Sequence, residues 1–158
     1  MAKKNEIRHF LKSDTASPLS GYIMTGIQTG QPVYKLAFDF NRLFHWNLQL
    51  QPDIEVIRNN QQIYFENYAT PENPAGNKIR LINNKIRMAL PHPDSLFDTH
   101  EIFYLFTKAK FADYILMLPV EDNLNVDEFQ RIFNVAYPVK FVNVNIEDCI
   151  LDLPVFPL

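Results

Sequence analysis

Residues 48–65 constrain the fold more than any other part of the sequence, because apolar residues alternate with polar ones on both sides of Asn59–Asn60. A period of two is typical of a β-strand with one buried face. Asparagine tolerates the positive φ angles that a tight two-residue turn requires. The stretch therefore predicts a β-hairpin, whose register pairs Val56 with Ile63 and Ile54 with Phe65.

Pro52 lies inside the first strand of this hairpin. Proline has no amide N–H to donate to a neighbouring strand, so in sheets it is confined to edge strands and bulges. The sequence therefore predicts that this strand lies at a sheet edge or carries a bulge at Pro52.

The asparagine pair recurs in "KIRLINNKIRMAL", where a turn at Asn83–Asn84 predicts a second hairpin. Its register pairs Leu81 with Ile86 and Ile79 with Met88. Four basic residues then share the outer face of this hairpin: Lys78, Arg80, Lys85 and Arg87. Arg80 would lie opposite Arg87, and like charges in that position are destabilising.

Two segments have the period of an amphipathic helix. The first follows Pro32 and runs from Val33 to about Trp46. The second is "VDEFQRIFNVA", which Asn125 can cap and which Pro138 follows. The remaining apolar segments predict strands, among them "ADYILML", which we expect at the centre of the sheet.

These elements predict an α+β fold, a two-layer sandwich of one mainly antiparallel sheet of about six or seven strands with two helices on one face. The chain has 158 residues, of which 47% are hydrophobic, and it is long enough to bury one core. We expect a loose N-terminal leader over residues 1–18, a single domain over 19–148 and an apolar, proline-containing tail over 149–158.

Charge and cysteine content exclude several classes of function. The net charge of −3 gives no overall field that would attract nucleic acid or an anionic membrane. The single cysteine, Cys149, excludes an intramolecular disulfide and a cysteine zinc cluster. No apolar run reaches the ~20 residues of a membrane helix, and no secretory signal is recognisable. We therefore expect a cytoplasmic protein that does not contact a membrane.

Three pieces of the sequence, "GIQTGQPVYKLAFDFNRLF", "LINNK" and "ADYILML", resemble in that order an uncharacterised bacterial family named for its IPExxxVDY signature. The resemblance spans roughly residues 20–146. Residues 112–114 match the VDY half, whereas Phe106, Thr107 and Lys108 stand where the IPE half would fall. The resemblance implies a strand, a helix, a small sheet and a central strand before a second helix. It implies no known activity.

Asp113 opens the predicted central strand, on a face that it shares with apolar neighbours. A carboxylate on a buried face must be paired or hydrogen-bonded, or its pKa rises until it is neutral. Such a group can act as a general acid or base, yet no second catalytic group stands near it in the sequence. We therefore expect Asp113 and Tyr114 to hold the fold. Asp113 would accept backbone N–H groups or pair with a basic residue such as Arg42.

The sequence predicts no catalytic residue, no metal site and no cofactor. Cys149 has no adjacent base, and no phosphate-binding glycine loop is present. Histidine occurs four times without metal-ligand spacing, at His9, His45, His92 and His100. These observations favour a non-enzymatic protein and leave an undetected enzyme as the third choice.

Two surfaces remain as candidates for function. The basic face of the second hairpin, with Tyr64 and Tyr68 on the neighbouring strand, could bind an anion or single-stranded nucleic acid. The same cations could instead pair with neighbouring carboxylates across a solvated sheet. The other surface is the apolar tail, which would pack on its own domain or on a second copy; its residues are Ile150, Leu151, Leu153, Val155 and Phe156.

The sequence therefore favours a small non-enzymatic protein-interaction domain, with a second copy or another protein as its partner. The alternative is a weak anion or single-stranded nucleic-acid binder that uses the basic hairpin face.

Overall fold

A computed structural model describes residues 21–90 and 99–149 of the chain. The predicted leader and all five apolar residues of the predicted tail lie outside these ranges. The described residues form these strands and helices: β1 Tyr22–Gln28, α1 Val33–Phe44, β2 Gln49–Arg58, β3 Gln61–Ala69, β4 Arg80–Asn83, β5 Lys85–Leu90, β6 Thr99–Tyr104, β7 Tyr114–Pro119, α2 Val126–Ala136, β8 Lys140–Asn143 and α3 Ile146–Cys149.

Six of these strands form one antiparallel sheet in the order β2-β3-β4-β7-β1-β8. The remaining two, β5 and β6, form a separate antiparallel pair. The predicted α+β fold is confirmed, with α1 and α2 packed on one face of the six-stranded sheet. The strand "YILMLP", β7, has a neighbour on each side and lies inside the sheet, as its apolar composition predicts.

The first hairpin has the predicted register. Val56 lies opposite Ile63 and Ile54 opposite Phe65, and the turn residues Asn59 and Asn60 have φ angles of 50° and 61°. Both alternatives for Pro52 are present, because β2 is the outermost strand and the β2–β3 register shifts between Gln51 and Ile54.

Aromatic side chains dominate the core between the two helices and the sheet. Phe40 of α1 stacks on Phe133 of α2 with ring centroids 4.4 Å apart. Asn125 caps α2, where its side-chain oxygen accepts from the N–H of Glu128 at 3.1 Å. The first helix ends at Phe44, two residues earlier than predicted, because His45 has a left-handed φ of 56°.

A second core covers the opposite face of the six-stranded sheet. Phe65 and Ile115 of the sheet belong to it, together with residues that follow β6 and with Cys149 of α3. Leu105 and Phe106 are among these residues, and neither side chain is exposed. The sheet is therefore packed on both faces, with the helix-side core on one and this second core on the other.

The predicted second hairpin is wrong. Leu81 and Ile82 of β4 pair with β3 and β7, whereas β5 pairs with β6. Arg80 consequently lies opposite Met117, and Arg87 lies opposite Ile102. The chain leaves one sheet for the other at Asn84, so the two halves of "KIRLINNKIRMAL" belong to different sheets.

Asn84 explains why the turn does not form. Its side chain is 0% exposed, and its Nδ2 donates to the carbonyls of Ala109 and Ala112, both at 2.9 Å. Its Oδ1 accepts from the N–H of Phe106 at 2.8 Å. Buried polar groups require such partners, so these bonds outweigh the preference of an asparagine pair for a tight turn.

Candidate functional site

Asp113 lies just before β7 and binds the connection between β1 and α1. Its Oδ2 accepts from the N–H of Thr29 at 3.0 Å, and its Oδ1 is 3.5 Å from Nζ of Lys85. The carboxylate is partly exposed rather than buried. The proposed pairing with Arg42 is wrong, because Lys85 is the cation beside it. These contacts tie the start of β7 to another segment and to Lys85, and a fold-holding role for Asp113 stays a prediction.

Tyr114 binds the same connection from the next position. Its hydroxyl donates to the carbonyl of Gln31 at 2.6 Å. Burial raises the pKa of Tyr114, and the negative charges of Asp113 and Glu66 raise it further. Asp113 and Tyr114 together hold the segment from Thr29 to Gln31 that leads into α1.

The four basic residues of the predicted hairpin face do not share one surface. Lys85 lies beside Asp113, and Arg87 is exposed on β5. Lys78 and Arg80 line a cavity beside β2.

The two predicted tyrosines also lie apart from Arg80. Tyr68 pairs with Leu81 and packs against the helix-side core, whereas Arg80 lies on the opposite face of the sheet. Tyr64 shares the face of Tyr68 because the two are four residues apart on one strand. The predicted groove of interleaved basic and aromatic side chains is therefore not formed. Lys78 and Arg80 do lie together at one cavity, so anion binding by these two residues stays a prediction.

The cavity lies where β2 departs from regular pairing. Pro52 and Asp53 have no opposite residue on β3, and a space of about 70 Å³ lies beside them. Seven residues line this bulge cavity: Gln51, Pro52, Asp53, Ile54, Asn67, Lys78 and Arg80.

Asn67 is the least exposed polar residue of the bulge cavity. It is 4% exposed, and its Oδ1 has no hydrogen-bond partner. A buried acceptor without a donor is uncommon and destabilising, and this oxygen is also closed off from solvent. The sequence signal was present, since Asn67 continues the alternation of Ile63 and Phe65 as a polar residue on an apolar face.

Two cations lie on another part of the cavity wall. Nζ of Lys78 is 3.6 Å from a carboxylate oxygen of Glu72, and its side chain is half-buried. Burial lowers the pKa of Arg80 from its ordinary value, and the Tyr22 hydroxyl partly offsets this effect. The lining residues include no serine, cysteine or histidine.

A second candidate surface lies on the other side of β2. Leu50 and Ile57 are 61% and 67% exposed, and Tyr64 on β3 is also exposed. These three residues share the helix-side face of the sheet, where the pairs Leu50–Tyr68 and Ile57–Gln62 place them. We refer to Leu50, Ile57 and Tyr64 as the edge strip.

The bulge explains why simple alternation assigns Leu50 to the wrong face of the sheet. Simple alternation puts Leu50 on the same face as Ile54 and Val56, and thus in the core. The register shift between Gln51 and Ile54 moves Leu50 to the opposite face. Sequence reasoning allowed for a bulge at Pro52 but did not carry the change of face into the core assignment.

Within residues 21–90 and 99–149, no cluster of three or more histidine, cysteine or acidic side chains is arranged to hold a metal ion. His45 and His100 are described, whereas His9 and His92 fall outside these ranges. In the same part of the chain, no helix is both long and apolar enough to cross a bilayer.

Comparisons with protein families, with curated proteins and with solved structures each give no match to this chain.

Proposed function

We propose that this protein is a non-enzymatic interaction domain that binds an extended segment of a partner protein along β2. The observation that carries the proposal is the edge strip on an outermost strand of ten residues. Backbone groups on the outer side of such a strand can pair with an added strand, and exposed apolar side chains beside them provide specificity.

Charge on β2 indicates which partner fits. Asp53 and Glu55 are exposed on this strand, whereas Arg58 donates to the carbonyls of Tyr104 and Leu105. An extended segment with apolar residues opposite Leu50 and Ile57 and a basic residue opposite Glu55, all on one face, would complement both the edge strip and this carboxylate. A second copy pairing through β2 would bring the same acids together, so this edge favours a different protein over a homodimer.

A synthetic ten-residue peptide that carries valine and lysine in turn on one face, with threonine at every position of the other face, tests the proposal. We expect saturable binding by fluorescence anisotropy, together with slower hydrogen exchange of β2 amides, because the added strand protects them. The double variant Leu50→Ser, Ile57→Ser should bind the peptide at least about fivefold more weakly, since apolar contact area is lost. Val135→Ser is the matched control, because Val135 is 84% exposed on α2.

Two results would overturn this proposal. One is equal binding of a peptide with every second amide N-methylated, since that peptide cannot extend a sheet. The other is self-association of the protein, measured by sedimentation, that the double variant abolishes, since β2 would then pair with a second copy.

We further propose that the chain is a divergent relative of the IPExxxVDY family. The order strand, helix, small sheet, central strand, second helix supports this proposal, because the resemblance implies the same order. Residues 112–114 fall at the start of the central strand β7, where the VDY half is expected. A sequence that is clearly related to this chain and carries both halves of the signature would test the relationship.

We also propose a cytoplasmic location. Its support is the single cysteine, Cys149, which is the last residue of α3 and is buried in the second core, as is typical of proteins that fold without disulfides in a reducing compartment. Fluorescence microscopy of a tagged chain tests this proposal, and a signal at the cell surface or outside the cell would reject it.

A further inference from the structure

Strands β5 and β6 form a two-stranded ribbon with one buried face. Ile86, Met88 and Phe103 pack against the second core. Residues at the alternate positions point away from that core, because successive side chains of a strand lie on opposite faces. Five of these outward residues are exposed or partly exposed, and we refer to them as the ribbon face: Lys85, Arg87, His100, Ile102 and Tyr104.

The two strands contribute different chemistry to the ribbon face. Strand β5 contributes the cations Lys85 and Arg87, whereas β6 contributes aromatic and aliphatic side chains. The register places Lys85 opposite Tyr104 and Arg87 opposite Ile102, so each cation has a flat or apolar neighbour across the ribbon. Residues two positions apart on a strand are about 7 Å apart, which is comparable to the separation of neighbouring phosphates in an extended single strand of nucleic acid.

Two more cations lie at Tyr104. Nζ of Lys110 is 6.0 Å from the centroid of the Tyr104 ring, a distance at which an aromatic ring attracts a cation. Arg58 reaches the same residue from β2 and donates to its backbone carbonyl. Positive charge is therefore concentrated around one partly exposed tyrosine ring, and Lys110 is itself exposed.

Carboxylates neutralise these cations only in part. Oδ1 of Asp113 lies 3.5 Å from Nζ of Lys85, whereas alternation places Glu101 on the other face of the ribbon. Among the described residues, no carboxylate pairs with Arg87 or Lys110. The ribbon face is thus a local excess of positive charge in a chain whose net charge is −3. Like charges that share a surface repel one another, and an anionic ligand would offset that repulsion.

We propose that the ribbon face binds single-stranded nucleic acid. Arg87 and Lys110 would pair with phosphates, and a base would stack on the ring of Tyr104 as Lys110 moves from the ring to the nucleic-acid backbone. Cations beside an aromatic ring are the combination by which proteins bind single strands without reading their sequence. An acidic peptide fits less well because it offers no flat group for the ring, and a duplex keeps its base faces inside its own stack.

This inference goes beyond the proposed function and concerns a different surface. The inner side of the ribbon packs on the second core, whereas the edge strip lies on the helix-side face of the six-stranded sheet. The double variant Leu50→Ser, Ile57→Ser should therefore bind an oligonucleotide as tightly as the native protein does. The two proposals consequently fail separately.

Fluorescence anisotropy with labelled ten-nucleotide oligothymidylate and oligouridylate tests the proposal. We expect saturable binding of both at 50 mM salt, because neither the cations nor the ring distinguishes the two sugars. Each phosphate contact on a single strand contributes about 0.7 to the slope of log affinity against log salt. Two contacts therefore predict that binding weakens about sevenfold between 50 and 200 mM salt.

Two substitutions on the ribbon remove one phosphate contact each. Arg87→Met and Lys110→Met should each weaken binding about threefold or more at 50 mM salt and lower the salt slope by about 0.7. Arg131→Met is the matched control, because Arg131 is exposed on α2, which packs on the helix-side face of the sheet. This control should change neither the affinity nor the slope.

Two variants of Tyr104 isolate the stacking contact. Tyr104→Phe keeps the ring and should bind like the native protein. Tyr104→Leu removes the ring and should weaken binding about fivefold or more, with no change in the salt slope. Thermal melting checks that each variant is folded. If Tyr104→Leu is not folded, ultraviolet crosslinking of the native protein to oligothymidylate carries the test, because the crosslinked peptide should be the one that contains β6.

Four outcomes would overturn the proposal. They are no saturable binding of either oligonucleotide at 50 mM salt, equal binding of a ten-residue oligoglutamate, tighter binding of a duplex of the same length, and a loss in Arg131→Met as large as that in Arg87→Met. The second outcome would assign the ribbon face to an acidic protein partner, and the third would assign it to double-stranded nucleic acid.

Discussion

At Asn84 the chain passes from the six-stranded sheet into the two-stranded sheet, and one residue serves both. Its backbone N–H donates to the carbonyl of Asp113, and its carbonyl accepts from Leu105, both at 2.9 Å. The side-chain amide of Asn84 makes three further hydrogen bonds, to Phe106, Ala109 and Ala112. Asn84 therefore makes five hydrogen bonds that hold the segment between β6 and β7.

Asn84→Asp should be among the most destabilising single substitutions in the protein. The change keeps the shape of the side chain but places a carboxylate oxygen against the carbonyls of Ala109 and Ala112. Each buried polar group left without a partner costs about 1–3 kcal/mol. We expect a loss of at least about 3 kcal/mol in the free energy of unfolding, measured by urea denaturation.

Asn83→Asp is the control for this prediction. Asn83 precedes Asn84, and its Oδ1 accepts only from the exposed N–H of Lys85 at 3.1 Å. Aspartate keeps that acceptor, so the free energy of unfolding should change by less than about 0.5 kcal/mol. Equal effects of the two substitutions would contradict the role assigned to Asn84.

Substitution of Asp113 should lower stability more modestly. Asp113→Ala removes the acceptor of the Thr29 N–H and the partner of Lys85, whereas Asp113→Asn keeps an acceptor but loses the charge. Because the carboxylate is partly exposed, solvent screens the ion pair, and we expect about 1 kcal/mol for alanine and less for asparagine. Unchanged melting temperatures in both variants would refute a structural role for Asp113.

The two asparagine pairs show what the sequence could predict at this scale and what it could not. Asn59–Asn60 forms a tight turn because its neighbours in sequence are also its neighbours in the sheet. Asn84 bonds instead to residues more than twenty positions away. The spacing of residues near Asn84 does not reveal these distant partners. The same Asn-Asn dipeptide therefore led to one correct hairpin prediction and one wrong one.

Among the elements, β1 has no room for a side chain at Gly26. It lies between β7 and β8, and Gly26 lies at the point of closest approach. A Cβ built on Gly26 would be 2.9 Å from the Cβ of Ala112 and 3.2 Å from the carbonyl oxygen of Val142. The φ angle of Gly26 is not positive, so the backbone conformation does not require glycine here. The requirement is for space.

Gly26→Ala should destabilise the protein by about 1–3 kcal/mol, the usual cost of extra volume in a packed core. Neither contact can yield easily, since one is to backbone and the other to a buried alanine. Gly30→Ala is the control, because no atom lies within 4 Å of the added Cβ. Thermal melting of both variants checks the difference, and a Gly26→Ala protein as stable as the native one would contradict it.

Strand β2 has some features that the sequence predicts and one that it does not. Its pairing with β3 beyond the bulge, its edge position and the bulge itself were all predictable from alternation and from Pro52. The cavity was not, because it depends on Lys78 and Arg80 reaching the bulge from another segment. Two of its lining residues were recognised as basic candidates, yet their common neighbour Asn67 was not.

Across the molecule, the loop between β3 and β4 is held to the end of β7 by amide–carboxylate contacts. The side-chain nitrogen of Asn77 donates to Oε1 of Glu121, and that of Asn73 donates to Oδ1 of Asp122 at 2.9 Å. The hydrogen bond from Asn77 is the largest cause that holds the pKa of Glu121 below its ordinary value of 4.5. These contacts connect the loop to the short turn at Val120–Asp122.

Acidification should weaken this connection. Because the pKa of Glu121 is lower in the folded state than in the unfolded chain, its contribution to stability is present above about pH 4.5. That contribution is lost as the pH falls through the lower, folded pKa. Glu121→Gln should therefore melt below the native protein at pH 7, and the difference should shrink on titration to pH 3.

Glu101→Gln is the control for the titration. Glu101 is a half-buried carboxylate on β6 that has no asparagine contact among the described residues. The difference in melting temperature between the native and the Glu101→Gln protein should not narrow comparably from pH 7 to pH 3. A constant difference between native and Glu121→Gln protein from pH 7 to pH 3 would contradict the linkage. The effect should be small, since Glu121 is exposed to solvent.

The interior position of β1 has a consequence for synthesis. This strand is made first among those described, but both of its neighbours, β7 and β8, follow more than eighty residues later. Among the described strands, consecutive ones pair in β2–β3, β3–β4 and β5–β6. Loop closure over such separations is slow, so we expect the nascent chain to present β1 unpaired until β7 and β8 have left the ribosome. The sheet should then form only after β7 and β8 are made, and should depend on protection of β1 until that point.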